Sequence, residues 1–88
     1  MKSMHYVYMI KSTIKDCLYV GLTDDLRRRF REHNGKENIS TKFYAPFELV
    51  YYEAYRNKQD ALLHEKKLKH HGAVIGHLKR RLKYSLQG

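Results

Sequence analysis

Five side chains stand out by type and spacing: Tyr8 and Tyr19, eleven residues apart, Arg29 and His33, four apart, and Glu65 further along the chain. Phenols on neighbouring strands can hydrogen-bond an anion, and a phenol that loses its proton is a base, although an ordinary tyrosine does so only near pH ~10. Arginine clamps anionic oxygens with its planar fork, and a histidine one helical turn away is a polar partner for it. Glu65 falls among Ala61, Leu62 and Leu68, where a carboxylate costs free energy unless it meets a cation or a metal. Each residue also has a plainer role open to it. The tyrosines can be a cross-strand aromatic pair, Arg29 a solvated member of an arginine run, His33 a cation at a helix C-terminus, and Glu65 the i,i+4 partner of Lys69. Their joint spacing is much less expected by chance than any one of them.

The elements that must position these groups follow from the pattern of the chain. Tyr6 to Ile10 and Leu18 to Gly21 are rich in aromatic and β-branched residues and flank a polar stretch, which predicts a β-hairpin. A turn centred between Thr13 and Ile14 pairs residues whose numbers sum to 27, so that Tyr8 faces Tyr19 on one side of the sheet. Thr23 and Asp24 supply N-cap chemistry for a helix running to about His33, which Asn34-Gly35 ends in the usual way. On that helix Leu26 and Phe30 mark the buried stripe. Arg28 and Arg31 point away from it, Arg27 flanks it, and Arg29 and His33 share the other side.

A polar loop from Lys36 to Pro46, with Lys42 among its cations, leads to a third strand, Phe47 to Tyr55, whose nearly unbroken apolar run predicts a central position. Asn57 and Asp60 open a helix that continues to about His70, with Ala61, Leu62 and Leu68 turned inward. After Gly72 a last amphipathic stripe, Val74, Ile75, Leu78, Leu82 and Leu86, carries Arg80 and Lys83 opposite it and Lys79 and Arg81 on its flanks. The predicted fold is α+β in the order ββαβαα, a three-stranded antiparallel sheet flanked by helices in one domain over residues 1–88.

Composition narrows the function. Eighteen Lys and Arg against nine Asp and Glu give a formal charge of +9, which points to a polyanionic partner. After Glu65 there are seven Lys or Arg and no acid. No stretch approaches the ~18 apolar residues of a membrane span, and the first ten residues lack the apolar core of an export signal, so a cytoplasmic, nucleoid-associated location is the expectation. Cys17 stands alone, which excludes an internal disulfide and thiolate-rich zinc frameworks, and is expected to be a small buried hydrophobe. His64, His70, His71 and His77 lack zinc-ligand spacing.

Taken with their order, these residues resemble the GIY-YIG endonuclease superfamily. Tyr6-Val7-Tyr8 looks like the first half of its name motif and Tyr19-Val20-Gly21 like the second. Leu18 to Leu26 running into Arg29-Phe30 and His33 is similar to the segment that follows, as is Ala61-Leu62-Leu63-His64-Glu65 after Leu49 to Glu53. The likeness covers nearly the whole chain and is strongest to small single-domain bacterial and phage-type members, relatives of the excision-repair endonuclease subunit. It departs from the family in two places: Tyr6 stands where the name motif has Gly, and no Asn follows Glu65.

The resemblance implies hydrolysis of DNA phosphodiesters with one divalent metal, Mg²⁺ or Mn²⁺. Such hydrolysis needs an activated water, a cation at the developing charge and help for the leaving oxygen. The residues do not choose between the two phenols as base. Family likeness implies Tyr8 as base, Tyr19 as positioner, Arg29 as phosphate clamp, Glu65 as the sole protein ligand of the metal, and His33 as assisting donor or proton relay. A DNA footprint is expected on Arg27, Arg28, Arg31, Lys42, Lys79, Arg80, Arg81 and Lys83. With no appended DNA-binding module, the protein should read DNA structure or backbone, or be directed by a protein partner.

Two other functions compete. A catalytically silent nucleic-acid-binding module of the same fold would leave the tyrosines structural, yet would have no need of a carboxylate on an apolar face. A membrane-surface helix built on Val74 to Leu86 has few large interfacial aromatics, and its apolar stripe has a protein core to join.

Overall fold

The computed structural model of the chain describes residues 4–39, 41–70 and 72–86, with side chains for all of these but 72–75. Its elements run β1 (His5–Ser12), β2 (Leu18–Thr23), α1 (Leu26–Asn34), β3 (Phe47–Tyr55), α2 (Lys58–His70), α3 (Gly72–Arg81) and α4 (Lys83–Leu86). The α+β class and the three-stranded antiparallel sheet are as expected, with helices on both faces. The last predicted helix is broken in two at Leu82, whose N–H is shared between the carbonyls of Leu78 and Lys79 at 3.0 and 3.2 Å, a tightening of the turn.

Strand order is β2-β1-β3, so β1 and not β3 is central. Val7 to Ile10 are all buried, as a strand covered on both faces requires. The run that made β3 look central contains a bulge: Met9 pairs with Tyr51 and Ile10 with Leu49, which leaves Val50 as the extra residue and lets Leu49 and Tyr52 share a face. Tyr52 is 51% exposed and Leu49 39%, as befits an edge strand. The hairpin register also differs, since paired numbers sum to 29: Tyr8 lies opposite Gly21, and Tyr19 opposite Ile10. A change of two in that sum preserves the faces, so both phenols still project from the same side, now as diagonal neighbours.

That side carries Tyr8, Ile10 and Phe47 against Leu26 and Phe30 of α1. The opposite side packs Val7, Met9 and Val20 against Ala61 and Leu68 of α2 and Leu78 of α3. Full burial of each such aliphatic side chain stabilises the fold by about 1.5–3 kcal/mol. Leu62, expected inside, is 38% exposed, because the inward phase of α2 runs through Ala61 and Leu68. Val74 and Ile75 of the expected C-terminal stripe have side chains outside the described residues. Cys17 is half-buried in the hairpin turn and not a core residue.

The N-cap of α1 lies one residue later than expected, and the helix stops at Asn34-Gly35 with the left-handed residue one position further on. Asp25 caps α1, its Oδ1 accepting the Arg28 N–H at 3.1 Å, while Thr23 Oγ1 accepts the N–H of Asp25. At the other end Gly35 keeps a φ of −80°, and Lys36, at 61°, takes the left-handed conformation. The side chain of Asn34 then pairs with β3 as a strand would: Oδ1 accepts the Phe47 N–H at 2.6 Å, and Nδ2 donates to its carbonyl at 3.3 Å.

Candidate active site

Tyr8 is 2% exposed and lies flat across the sheet toward β2. Its ring occupies the space that a side chain at position 21 would fill: a Cβ added to Gly21 would overlap the phenol end of Tyr8. The glycine of Tyr19-Val20-Gly21 is therefore the seat of the Tyr8 hydroxyl. Tyr19 sits beside it, ring centroids 6.3 Å apart.

His33 closes the group from α1. It is fully buried, and its Nε2 lies 2.8 Å from the Tyr8 hydroxyl. Its Nδ1 lies 2.8 Å from Thr41 Oγ1, so both ring nitrogens are engaged. Its ring also packs on Tyr19 at 5.1 Å and Phe47 at 5.9 Å. Burial, followed by the charge of Arg29, holds the His33 pKa below its ordinary value, so the imidazole is neutral. One arrangement satisfies every group: Tyr8 O–H donates to Nε2, and Nδ1–H donates to Thr41.

Arg29 lies half-buried on the same side of α1, held by Glu32 at 3.2 Å. Burial is the largest influence and pushes the Tyr8 phenol up, Arg29 pulls it down, and coulombic interaction with Tyr19 and Glu65 pushes it up again; the net value is about 12. For Arg29 itself burial opposes the charge, but Tyr8 and Glu32 outweigh it and raise its pKa.

Glu65 comes from α2, which packs on the opposite face of the sheet. Its side chain is 19% exposed and pairs with Lys69 at 3.4 Å. The Lys69 ammonium in turn lies 5.7 Å over the Tyr19 ring, and the Glu65 charge is felt at Tyr8. The rotation of α2 is fixed one residue earlier. His64 Nδ1 lies 2.6 Å from the Tyr55 hydroxyl and 2.8 Å from Glu53 Oε1, and the same hydroxyl donates to Glu53 Oε2 at 2.7 Å. Glu53 Oε1 has this contact but no hydrogen bond. Burial and then Glu53 raise the Tyr55 pKa, which keeps its proton in place to donate.

All five residues singled out by spacing thus gather at one place. The cations expected to bind DNA do not. Arg27, Arg28 and Arg31 are exposed on α1, beside Tyr8's face of the sheet, with Arg28 paired to Asp24 at 3.5 Å. Lys79, Arg80 and Arg81 lie on α3, against the opposite face, and Lys83 starts α4 with its ammonium over Tyr84. Arg81 lines a cleft with Tyr51, Glu53 and His77. Lys42 lies over the Phe43 ring at 5.0 Å.

Three further residues contact the site in ways that spacing does not reveal. Gly21 was visible only as part of a motif, and its contact with Tyr8 needed the true register. Thr41 comes from a loop with no periodicity. Lys69 was legible as an i,i+4 partner of Glu65 but not as a neighbour of Tyr19.

Known proteins match this sequence along most of its length. Residues 4–73 match the family described as the GIY-YIG catalytic domain. The chain is 37% identical over 70 residues to a UPF0213 protein of Haloquadratum walsbyi, covering 78% of each. It is 38% identical to a UPF0213 protein of Bacillus pumilus, over 77% of this chain and 69% of the other. A UPF0213 protein of Staphylococcus epidermidis is 41% identical, over 74% of this chain and 79% of its own length. No solved structure matches. Among the described residues, no helix is long and apolar enough to cross a membrane.

Proposed function

The chain belongs to the GIY-YIG nuclease superfamily, and from that premise we propose that it is a divalent-metal-dependent endonuclease that hydrolyses DNA phosphodiesters, selected by DNA structure or by a protein partner. One observation carries this: the Tyr8 hydroxyl is hydrogen-bonded to a neutral, buried His33 where Tyr19, Arg29 and Glu65 converge.

A free phenolate is a poor explanation of the base. With a pKa of about 12, only about one Tyr8 in 10⁵ is ionised at pH 7. The His33 contact removes that difficulty. As water attacks phosphorus, its proton passes to the Tyr8 oxygen while the Tyr8 proton passes to Nε2, so no free phenolate accumulates. Nδ1–H, held by Thr41, keeps Nε2 in the accepting form. Arg29 binds the non-bridging phosphate oxygens and stabilises their developing charge, and the Tyr19 hydroxyl orients the phosphate.

Glu65 is the residue that would hold Mg²⁺. Among the described residues no three His, Cys, Asp or Glu side chains gather, and a single accessible carboxylate suits an ion that retains most of its waters. Bound there, Mg²⁺ or Mn²⁺ would supply Lewis-acid stabilisation of the phosphate and leaving oxygen. The Glu65–Lys69 pair also supports a second reading, a silent DNA-binding module in which that carboxylate is only a helix contact.

Purified protein incubated with single-stranded, duplex and branched DNA, in Mg²⁺, Mn²⁺ or EDTA, separates the two. Cleavage with metal, lost in Glu65→Gln while DNA binding persists, supports the nuclease. Arg29→Ala should lose ~10²-fold or more in rate, whereas exposed Arg28→Ala should be nearly silent. Binding without cleavage of any substrate would favour the module.

A further inference from the structure

The sheet face that carries Tyr8 extends beyond it into an open cleft of about 460 Å³ between α1 and β3. Tyr52 stands directly opposite Tyr8 across the β1–β3 pair, and Tyr6 precedes Tyr8 by two residues on the same side of β1. The Tyr6 and Tyr52 rings meet edge to face, 6.0 Å apart at 64°. Phe30 and the exposed Leu49 complete an apolar wall. At the rim stand Asp24, Asp25 and Arg27.

We propose that this cleft takes one unpaired nucleobase of the DNA strand whose neighbouring phosphate lies at Tyr8; this rests on the nuclease reading and names its substrate as DNA with an unpaired base beside the cut. The occupant follows from size, polarity and position. A half-exposed tyrosine against a second aromatic ring is a platform that stacks any base face. The cleft adjoins the groove that Arg29 lines, with Asp24 standing at the edge of both, so a strand whose phosphate reaches Arg29 and that passes Asp24 brings its next base here. Charge sorts the parts of the nucleotide. The chain is strongly basic, with Arg27, Arg28 and Arg31 exposed along α1 to take phosphates. The two rim carboxylates are acceptors only, so they repel phosphate and favour the amino edges of adenine, cytosine and guanine over thymine.

Binding measured in EDTA, by anisotropy of labelled oligonucleotides, tests this without calling on cleavage. Wild type should prefer single strands, and duplexes with one unpaired cytosine or adenine, to plain duplex or to the same site made abasic. Tyr52→Ala should weaken the unpaired substrates by ~10-fold and leave plain duplex unchanged, while Tyr52→Phe, which keeps the stacking face, should bind as wild type. Tyr52 is on an edge strand and half exposed, so the variant should remain folded, as its melting curve would show. Unchanged affinity of Tyr52→Ala for unpaired substrates overturns the proposal, leaves the nuclease reading standing, and makes the cleft a seat for an apolar protein segment. Equal weakening on plain duplex and unpaired substrates also overturns it. Failure of wild type to bind any DNA overturns the nuclease reading together with it.

Discussion

The Tyr8 hydroxyl and Nε2 of His33, 25 residues apart in the chain, lie 2.8 Å apart in the interior. The contact joins the central strand to α1 and gives the phenol a proton acceptor that is neither water nor metal. It also makes the two site tyrosines unequal in ways their sequence context hides.

Tyr8→Phe leaves a buried imidazole without its partner and should cost about 1–3 kcal/mol as well as most cleavage. Tyr19→Phe keeps a ring that packs on Tyr8 and His33, and should melt close to wild type while still losing rate. Thermal melts beside cleavage rates check this. Equal melting of the two variants would mean that the Tyr8–His33 bond contributes nothing to stability.

Gly21→Ala places a methyl group where the Tyr8 phenol lies. Because Tyr8 is enclosed, the ring cannot swing away freely, and the overpacking should cost about 1–3 kcal/mol and misplace the hydroxyl. Cleavage should fall further than the melting temperature implies. An alanine variant with wild-type rate would show that the hydroxyl position is not critical.

The His33 proton affinity gives a pH dependence whose sign is fixed. Its pKa is lowered on folding from an ordinary 6.5, so below that pH the unfolded chain takes up a proton that the folded protein resists. Stability from this group is complete above about pH 6.5 and is lost as pH falls toward the lowered value. Melting temperature followed from pH 7.5 downward should decline less steeply in His33→Gln than in wild type, even though the variant starts lower. Parallel curves would assign the acid sensitivity to other groups.

Lys69 competes for the carboxylate that the metal would use. Lys69→Met should therefore lower the Mg²⁺ concentration for half-maximal cleavage, by up to ~5-fold for a partly exposed pair worth ~1 kcal/mol or less. A metal titration of the rate reads this directly. An unchanged midpoint would detach Glu65 from metal binding.

The basic residues divide between the two faces, and salt dependence tells which face holds DNA. Replacing Arg27, Arg28 and Arg31 by Gln should flatten the slope of log K against log salt by up to ~0.9 for each lost duplex contact. The same change at Lys79, Arg80 and Arg81, on the face away from Tyr8, should flatten it less. The reverse order would put the DNA against α3.

Much of this was legible because it depends on local chemistry. The hairpin, the first helix and the class of the sheet follow from residue type and period, and the grouping of Tyr8, Tyr19, Arg29, His33 and Glu65 from spacing. What failed was whatever depended on partners distant in the chain. An extra residue at Val50 turned an alternating edge strand into an unbroken apolar run, and no single-strand pattern reveals a bulge. The hairpin register was fixed by the Ser12–Cys17 closure, not by the midpoint of the polar stretch. Leu62 shows the same limit on a helix: two inward phases fit the α2 sequence, and only packing on Val7 and Met9 selects the one through Ala61 and Leu68.

Thr41 gives the loop after α1 an unusual division of labour. Thr41 and Ala45 turn inward, the first holding His33, and Ser12 and Thr13 tie the carbonyls of Tyr44 and Pro46 to the hairpin. Ile39 and Phe43, between and beside them, are 83% and 72% exposed. Outward positions can therefore be rewritten while the histidine's tautomer stays set from within. That is a way to diversify what the protein touches by point changes in one segment, leaving the Tyr8–His33–Thr41 contacts intact, and it marks positions 39 and 43 as the natural sites for a randomised library.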